Sequence, residues 1–208
     1  MVNYISPSLL NFWLYCTHNE NADIQEFIDY LNRIEKPTTE AQQKGLDFED
    51  EVYKGNKPLY NPYIKNGLYQ VKVSKPYKDI LLLGIIDVLQ PDRIYDIKTT
   101  KNYYTGKYFN TSQHIVYPYI VGDIKDFSYL INEECYKEDY VYQDGQCEQL
   151  IDSFINYLKQ TNLYDIWKEK WIKTENEVSQ YENNLLKIFW WNFLILYLQN
   201  MKLKIKNL

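Results

Sequence analysis

Basic charge is in short supply. Of 208 residues, 23 are Lys or Arg against 28 Asp or Glu, a formal net charge of −5 with a pI near 5.2, and only two of the basic residues are arginine. That balance weighs against a protein that coats nucleic acid indiscriminately, because such binding neutralises phosphates with Lys and Arg. It leaves room for a site that needs acids beside a local basic groove. The N-terminus MVNYISPSLLNF lacks the basic start and long apolar run of a secretory signal. Three widely spread cysteines, an odd number, suit reduced thiols better than a disulfide framework. Both absences point to the cytoplasm. There is no phosphate-binding G-x-x-x-x-G-K-[ST], hence no sign of an ATP-driven motor, and no internal repeat. The apolar stretch between Lys187 and Lys202 is broken by Asn192 and falls short of the ~20 residues of a membrane-spanning helix. Tyrosine is abundant, at 22 residues, but a biased genome accounts for that as readily as base-stacking surfaces do.

What is present centres on GIIDVLQPDRIYDIK, residues 84–98. The run ILLLGIIDVL before it is almost continuously apolar, the pattern of a strand covered on both faces. Gln90-Pro91-Asp92-Arg93 reads as a type I turn and Ile94–Lys98 as a second strand. Alternation puts Ile94, Asp96 and Lys98 on one side and Tyr95 and Ile97 on the other. Pairing as a hairpin brings Asp87 beside them, two carboxylates and an ammonium in a confined place. An exposed salt bridge on a sheet edge gives the same D-x-K spelling. The chemical alternative is metal catalysis: magnesium or manganese takes oxygen ligands, and a lysine alongside orients water and stabilises phosphate charge.

Helices are expected around this hairpin. Ser6 and Pro7 signal a helix start, with Leu9, Phe12, Trp13 and Cys16 at helical spacing. A second helix is expected over roughly 22–34, with Ile24, Phe27, Ile28 and Leu31 on one face. A third, within 39–55, has Leu46, Glu49 and Val52 at i, i+3, i+6 and Gly55 as its stop. It is crowded with acids, of which Glu49 is placed to point inward. Thr111 or Ser112 caps a further helix on which Gln113 and Tyr117 face the same way, with Pro118 awkward inside it. One or two strands follow, then a long amphipathic helix over 148–173.

The succession of Gly45-x-x-x-Glu49, Gly84-x-x-Asp87, Asp96-x-Lys98 and Gln113-x-x-x-Tyr117, with the opening SPSLLNFWLYC, resembles the PD-(D/E)XK nuclease superfamily. Within it the pattern is closest to the branch of RecB-type nuclease domains, lambda-type exonucleases and CRISPR-associated exonucleases, over about residues 5–120. The resemblance implies that Asp87, Asp96 and the Ile97 carbonyl hold magnesium or manganese, with Glu49 completing the site from its helix unless Asp47 or Glu51 takes that place. It implies that Lys98 positions the attacking water. Gln113 and Tyr117 either brace the sheet or contact the DNA backbone. Lys101 and Lys107, in a loop with Tyr103, Tyr104 and Tyr108, are expected to meet phosphates and stack on an unpaired base. Relatives with an iron-sulfur cluster use four cysteines; here Cys16 matches the first, but only Cys135 and Cys147 follow, so no cluster is expected.

These readings combine into an α/β fold, a mixed central sheet flanked by helices with a restriction-endonuclease-like core. The nuclease-like domain is expected over 1–173, with a polar connector and an apolar C-terminal helix over 174–208. That helix packs on the domain, forms a homo-oligomer or partner interface, or lies on a membrane surface. The expected function is metal-dependent DNA hydrolysis in a bacterial or phage-infected cell, as an exonuclease in recombination, repair or phage DNA processing. A restriction-type or structure-specific endonuclease would use the same residues, and an idle DNA- or protein-binding module would share the fold.

Overall fold

The computed structural model describes residues 1–181, so the helix expected over 185–208 lies outside the described residues. The chain opens with β1 (Val2–Ile5) and α1 (Pro7–His18). Ser6 caps α1, its hydroxyl accepting from the Leu9 N–H at 3.3 Å, while Pro7 occupies the first turn, where no N–H is required. Leu9, Leu10, Trp13 and Cys16 are buried. Phe12, expected among them, is half-buried and meets Phe27 and Tyr30 of α2 (Ile24–Leu31) edge-on. Next, α3 (Glu40–Tyr53) begins with a reciprocal capping box between Thr39 and Gln42. Its apolar contact starts at Phe48 and centres on Val52, so Leu46, expected on the buried stripe, is 56% exposed.

After α4 (Asn61–Ile64) comes a strand that the sequence reading missed, β2 (Leu68–Tyr77), paired antiparallel with the whole of β3 (Ile80–Leu89). The alternation Val71-Lys72-Val73 is its short-range sign. The expected turn closes with Gln90 N–H donating to the Arg93 carbonyl at 2.9 Å and leads into β4 (Arg93–Lys98). Then follow α5 (Gln113–Val121), β5 (Asp126–Ile131) and β6 (Tyr136–Val141). Pro118 lies within α5, which stops at Gly122 with φ +92°. Ser112 stands at the cap position, but its hydroxyl donates to the Pro7 carbonyl and the Asn11 side chain instead of capping. The single long helix expected over 148–173 is two, α6 (Gln146–Gln160) and α7 (Tyr164–Lys170), followed by β7 (Ile172–Lys173). Asn162 takes φ +59° at the break, a conformation that Asn tolerates better than most residues.

The seven strands form one mixed sheet in the order β6-β5-β4-β3-β1-β7, with β2 also on β3, which puts the β3–β4 hairpin at its centre as expected. Along β4 and β5 side chains alternate between two cores. Ile94, Tyr129 and Ile131 join the larger one, which includes residues of α1, α2, α5, α6 and α7; Ile97 and Leu130 join a smaller one with Val52, Tyr60 and Ile64. No helix among the described residues is long and apolar enough to cross a membrane.

The edges of β3 locate the site. Since β2 runs along one edge for the full length of β3, β1 and β4 must share the other. Parallel β1 pairs with Ile80–Leu82, and antiparallel β4 pairs only at Val88 and Leu89. The C-terminal ends of β1 and β4 therefore converge on residues 83–87, where the edge of β3 is left open.

His114 on α5 is 8% exposed, stacked on Tyr140 with centroids 4.3 Å apart, and burial pushes its pKa down from 6.5 to about 4. The unfolded chain thus binds the extra proton first, and stability present above pH ~6.5 falls as pH drops toward ~4, by on the order of 3 kcal/mol in total. Urea midpoints across this range should fall for the wild type, and His114→Gln should flatten that dependence.

Candidate active site

The open stretch of β3 is the floor of a cavity of about 430 Å³ whose lining includes Glu49, Asp87, Asp96, Lys98, Gln113 and Tyr117. The six residues singled out in the sequence thus line one space. Asp96 is 1% exposed, and Lys98, two residues on along β4, brings Nζ to 2.5 Å from its Oδ2. Oδ2 is thus held by the ammonium in a close ion pair. The other oxygen, Oδ1, accepts from Gln113 Nε2 at 2.6 Å. Asp87 works differently. Its Oδ2 accepts from the Ile97 N–H at 2.8 Å, so a side chain takes the backbone donor of β4 just beyond the point where the β3–β4 ladder stops.

Glu49 reaches the cavity from α3. The alternatives on that helix are occupied elsewhere: Asp47 accepts from Gln43 on the exposed face, and Glu51 accepts from Asn56 and Lys54. Burial is the main cause that raises the pKa of all three carboxylates. Asp87 stands well above the ordinary range, with the Asp96 charge adding to the effect and Lys98 opposing it. For Lys98, burial disfavours the charge, but the carboxylates of Asp96 and Asp87 outweigh it and hold the ammonium above its ordinary pKa. With all four ionised, this inner group carries an excess of two negative charges in a desolvated place, an arrangement that favours a further cation.

The motif glycines have geometric reasons. A Cβ on Gly84 would stand 2.6 Å from Tyr117 Cε1 and 3.2 Å from Pro7 Cδ. Only a glycine lets the Tyr117 ring lie on β3, where its hydroxyl donates to the Ile85 carbonyl at 2.7 Å. Gln113 and Tyr117, one turn apart, therefore bond to the Asp96 carboxylate and to β3 respectively.

Several residues that touch this group were not foreseen. Asn11 on α1 accepts from the Ser112 N–H and hydroxyl at 2.6 and 2.8 Å and turns Nδ2 toward Gln113 Oε1 at 3.4 Å, which orients the amide that meets Asp96. Gln70, opposite Asp87 in the β2–β3 register, has φ +50° and donates to Tyr53 Oη at 2.6 Å and to Asp87 Oδ1 at 3.5 Å. The sole signal for Asn11 is its place in the opening helix; Gln70 has none without β2.

No protein-family model matches the chain, and no curated protein does. Among solved structures, a "Putative exonuclease" from Eubacterium rectale is 12% identical, over 82% of this chain and 83% of that one, with a TM-score of 0.53. Another, SSO0001, is 11% identical over 76% and 77%, with a TM-score of 0.45. The likeness to the first is one of fold.

The basic loop stands apart from the cavity lining. Lys101 is exposed and lines a neighbouring groove with Lys44, Phe48 and Glu133, while Lys107 Nζ is bonded to the Thr100 hydroxyl and to the Asn102 carbonyl. Of the tyrosines proposed for stacking, Tyr108 is buried against Tyr129 and Tyr103 stacks on Tyr136; Tyr104 is 64% exposed. Cys16 and Cys147 are buried free thiols, and Cys135 is a half-buried one.

The two glycines respond differently to alanine. Gly84→Ala overpacks against a ring and a proline fixed by their neighbours and should cost about 1–3 kcal/mol in urea unfolding. At Gly45 the added Cβ meets only Thr99 Oγ1 at 3.3 Å, and alanine favours the helix by up to ~1 kcal/mol, so Gly45→Ala should be neutral or stabilising. An unchanged midpoint in Gly84→Ala would show that Tyr117 does not need Gly84.

Proposed function

We propose that this chain is a DNA nuclease of the PD-(D/E)XK superfamily, in the branch of RecB-type domains and lambda-type and CRISPR-associated exonucleases, working with magnesium or manganese. The observation that carries this reading is Asp96: buried, one oxygen held by Gln113 and the other paired with Lys98, beside the second carboxylate of Asp87 on the floor of an open cavity. Among the described residues no three His, Cys, Asp or Glu form a close metal cage. Magnesium needs no such cage, since one or two carboxylates plus waters and substrate phosphate commonly suffice. Asp87 and Asp96 would hold the ion, joined by the Ile97 carbonyl and by Glu49. When bound, it supplies Lewis-acid polarisation of the phosphoryl oxygen and a lower pKa for its water.

The chain's own residues supply position and charge. Gln113 fixes the plane of the Asp96 carboxylate, Asp87 is fixed by the Ile97 N–H, and Tyr117 holds β3 between them. Lys98, protonated between its acids, donates to the attacking water and to charge developing on the phosphate. The fold shared with a protein named as an exonuclease supports the exonuclease form, and end processing in recombination, repair or phage replication is the setting that form suits. Lys101 is the outer phosphate contact in this reading; Lys107 joins it by giving up its bonds to Thr100 and Asn102.

Linear and circular DNA incubated with magnesium, manganese, calcium or excess chelator test the reading. Magnesium and manganese should support cleavage of linear DNA and calcium should not; full cleavage in chelator would remove the metal, and cutting of circles would make the enzyme an endonuclease. Asp87→Ala, Asp96→Ala and Lys98→Ala should each reduce cleavage by roughly two to three orders of magnitude or more. Asp87→Asn keeps an acceptor for the Ile97 N–H while removing a charge beside Asp96, so it should abolish cleavage yet raise the unfolding midpoint. A variant of Lys101 and Lys107 to Gln should lower the slope of log K against log salt by roughly one per lost contact.

A further inference from the structure

The two arginines are used in opposite ways. Arg93, at the start of β4, donates to Asp139 at 3.0 Å and to the Ser128 hydroxyl at 2.9 Å, and lies 3.7 Å from Asp126. Arg33 makes no ion pair with a carboxylate among the described residues, and burial lowers its pKa. Its guanidinium carbon lies 3.4 Å from the centroid of the Trp171 ring and 5.5 Å from that of Tyr4, and Nη2 donates to the Tyr4 hydroxyl. The planar fork is thus held on two rings and keeps its remaining donors for another partner.

Backbone conformation adds a second observation. Arg33 follows α2 with φ +62°, its N–H donating to the Tyr30 carbonyl and the Ile34 N–H to the Asp29 carbonyl. This is the Schellman termination, whose left-handed position glycine ordinarily fills. An L-residue there costs about 1–2 kcal/mol, yet the chain places an unpaired arginine in it.

Arg33 lines the cavity that contains Asp87, Asp96 and Lys98. It also lines an adjoining groove of about 630 Å³ that continues past Phe12, Tyr30, Ile34 and Lys36. Ser8, Tyr30 and Arg33 are common to both spaces, so a strand passing from one to the other runs by the guanidinium. The groove also carries Glu26 and Glu35, with Lys36 at 3.7 Å from Glu26, so its walls offer little net attraction for phosphate beyond Arg33 itself.

We infer that Arg33 is a phosphate clamp for a single nucleic-acid strand that leaves the carboxylate cavity through the groove between α1 and α2. Phe12 and Tyr30, both partly exposed, give the groove an aromatic wall against which unpaired bases pack. This rests on the nuclease reading for the identity of the strand and extends it to the substrate: an unpaired end, gripped on the far side of the scissile position. Arg33 is a binding residue here and takes no part in the bond cleavage.

The test is binding of a labelled single-stranded oligonucleotide, and of a blunt duplex of the same sequence, to the full chain in chelator, by anisotropy over a series of salt concentrations. Arg33→Gln should weaken single-strand binding about tenfold and lower the magnitude of its salt slope by roughly 0.7, the value for one phosphate contact on a single strand. The duplex should bind more weakly and respond little. Arg33→Lys should retain the slope, since it keeps the charge, while losing part of the affinity with the fork and the stack. Unfolding midpoints of both variants separate this from a purely structural role: a lowered midpoint with wild-type affinity and slope would make Arg33 a staple between Trp171 and Tyr4 and overturn the clamp. Equal losses on duplex and single strand would overturn the single-strand path. Cleavage by the wild type in magnesium is read separately. Binding that depends on Arg33 without cleavage would sink the nuclease reading alone, and cleavage with an unchanged slope in Arg33→Gln would sink the clamp alone.

Discussion

A carboxylate at 1% exposure sets the terms for the rest of the molecule. Taking an ion such as Asp96 out of water costs several kcal/mol unless charge and hydrogen bonds replace its hydration. Its partners come from separate parts of the chain: Lys98 from the same strand, Gln113 from α5, and, behind Gln113, Asn11 from α1. None of these can shift independently. The glycine at 84, the Tyr117 ring across it and Pro7 at the head of α1 are packed as closely as they are because α1 and α5 must both reach one oxygen-lined corner.

The same corner is where regular β structure is interrupted. Beyond Val88 the β3–β4 ladder gives way to Asp87 holding the Ile97 N–H, and on the other edge β2 leaves its ladder at Gln70, opposite the same aspartate. Backbone pairing that would stabilise the sheet is forgone to aim side chains into the cavity. Folds commonly break local rules in one or two places and obey them elsewhere.

Charge distribution follows this division. The chain is acidic overall, and most of the ion pairs that involve its lysines are exposed and individually weak. The cations that matter to the cavity are few and held in place: Lys98 by the acids Asp96 and Asp87, and Arg33 by two aromatic rings. A net charge of −5 therefore says little about what the cavity attracts, because attraction at contact distance depends on which charges lack a partner.

By itself the sequence determined the elements whose signals are local. The Ser6–Pro7 start, the Pro91 turn, the period-two placing of Asp96 and Lys98, and the i, i+4 placing of Gln113 and Tyr117 all hold, because each depends on backbone geometry within a few residues. The four spaced motifs meet around one cavity, and of the acids on α3 it is Glu49 that lines it beside Asp87 and Asp96. Tertiary structure alone decided the rest. Leu46 is exposed and Tyr108 buried because burial depends on what packs opposite, which a helical or loop pattern does not contain. The helix expected over 148–173 breaks at Asn162, and Ile172 and Lys173 join the sheet beside β1. Asn11, Gln70 and Arg33 are ordinary polar residues in the linear chain. They acquire their roles only when β3 brings β1, β2 and β4 to one place, for hydrogen bonding and desolvation act between groups that folding makes neighbours.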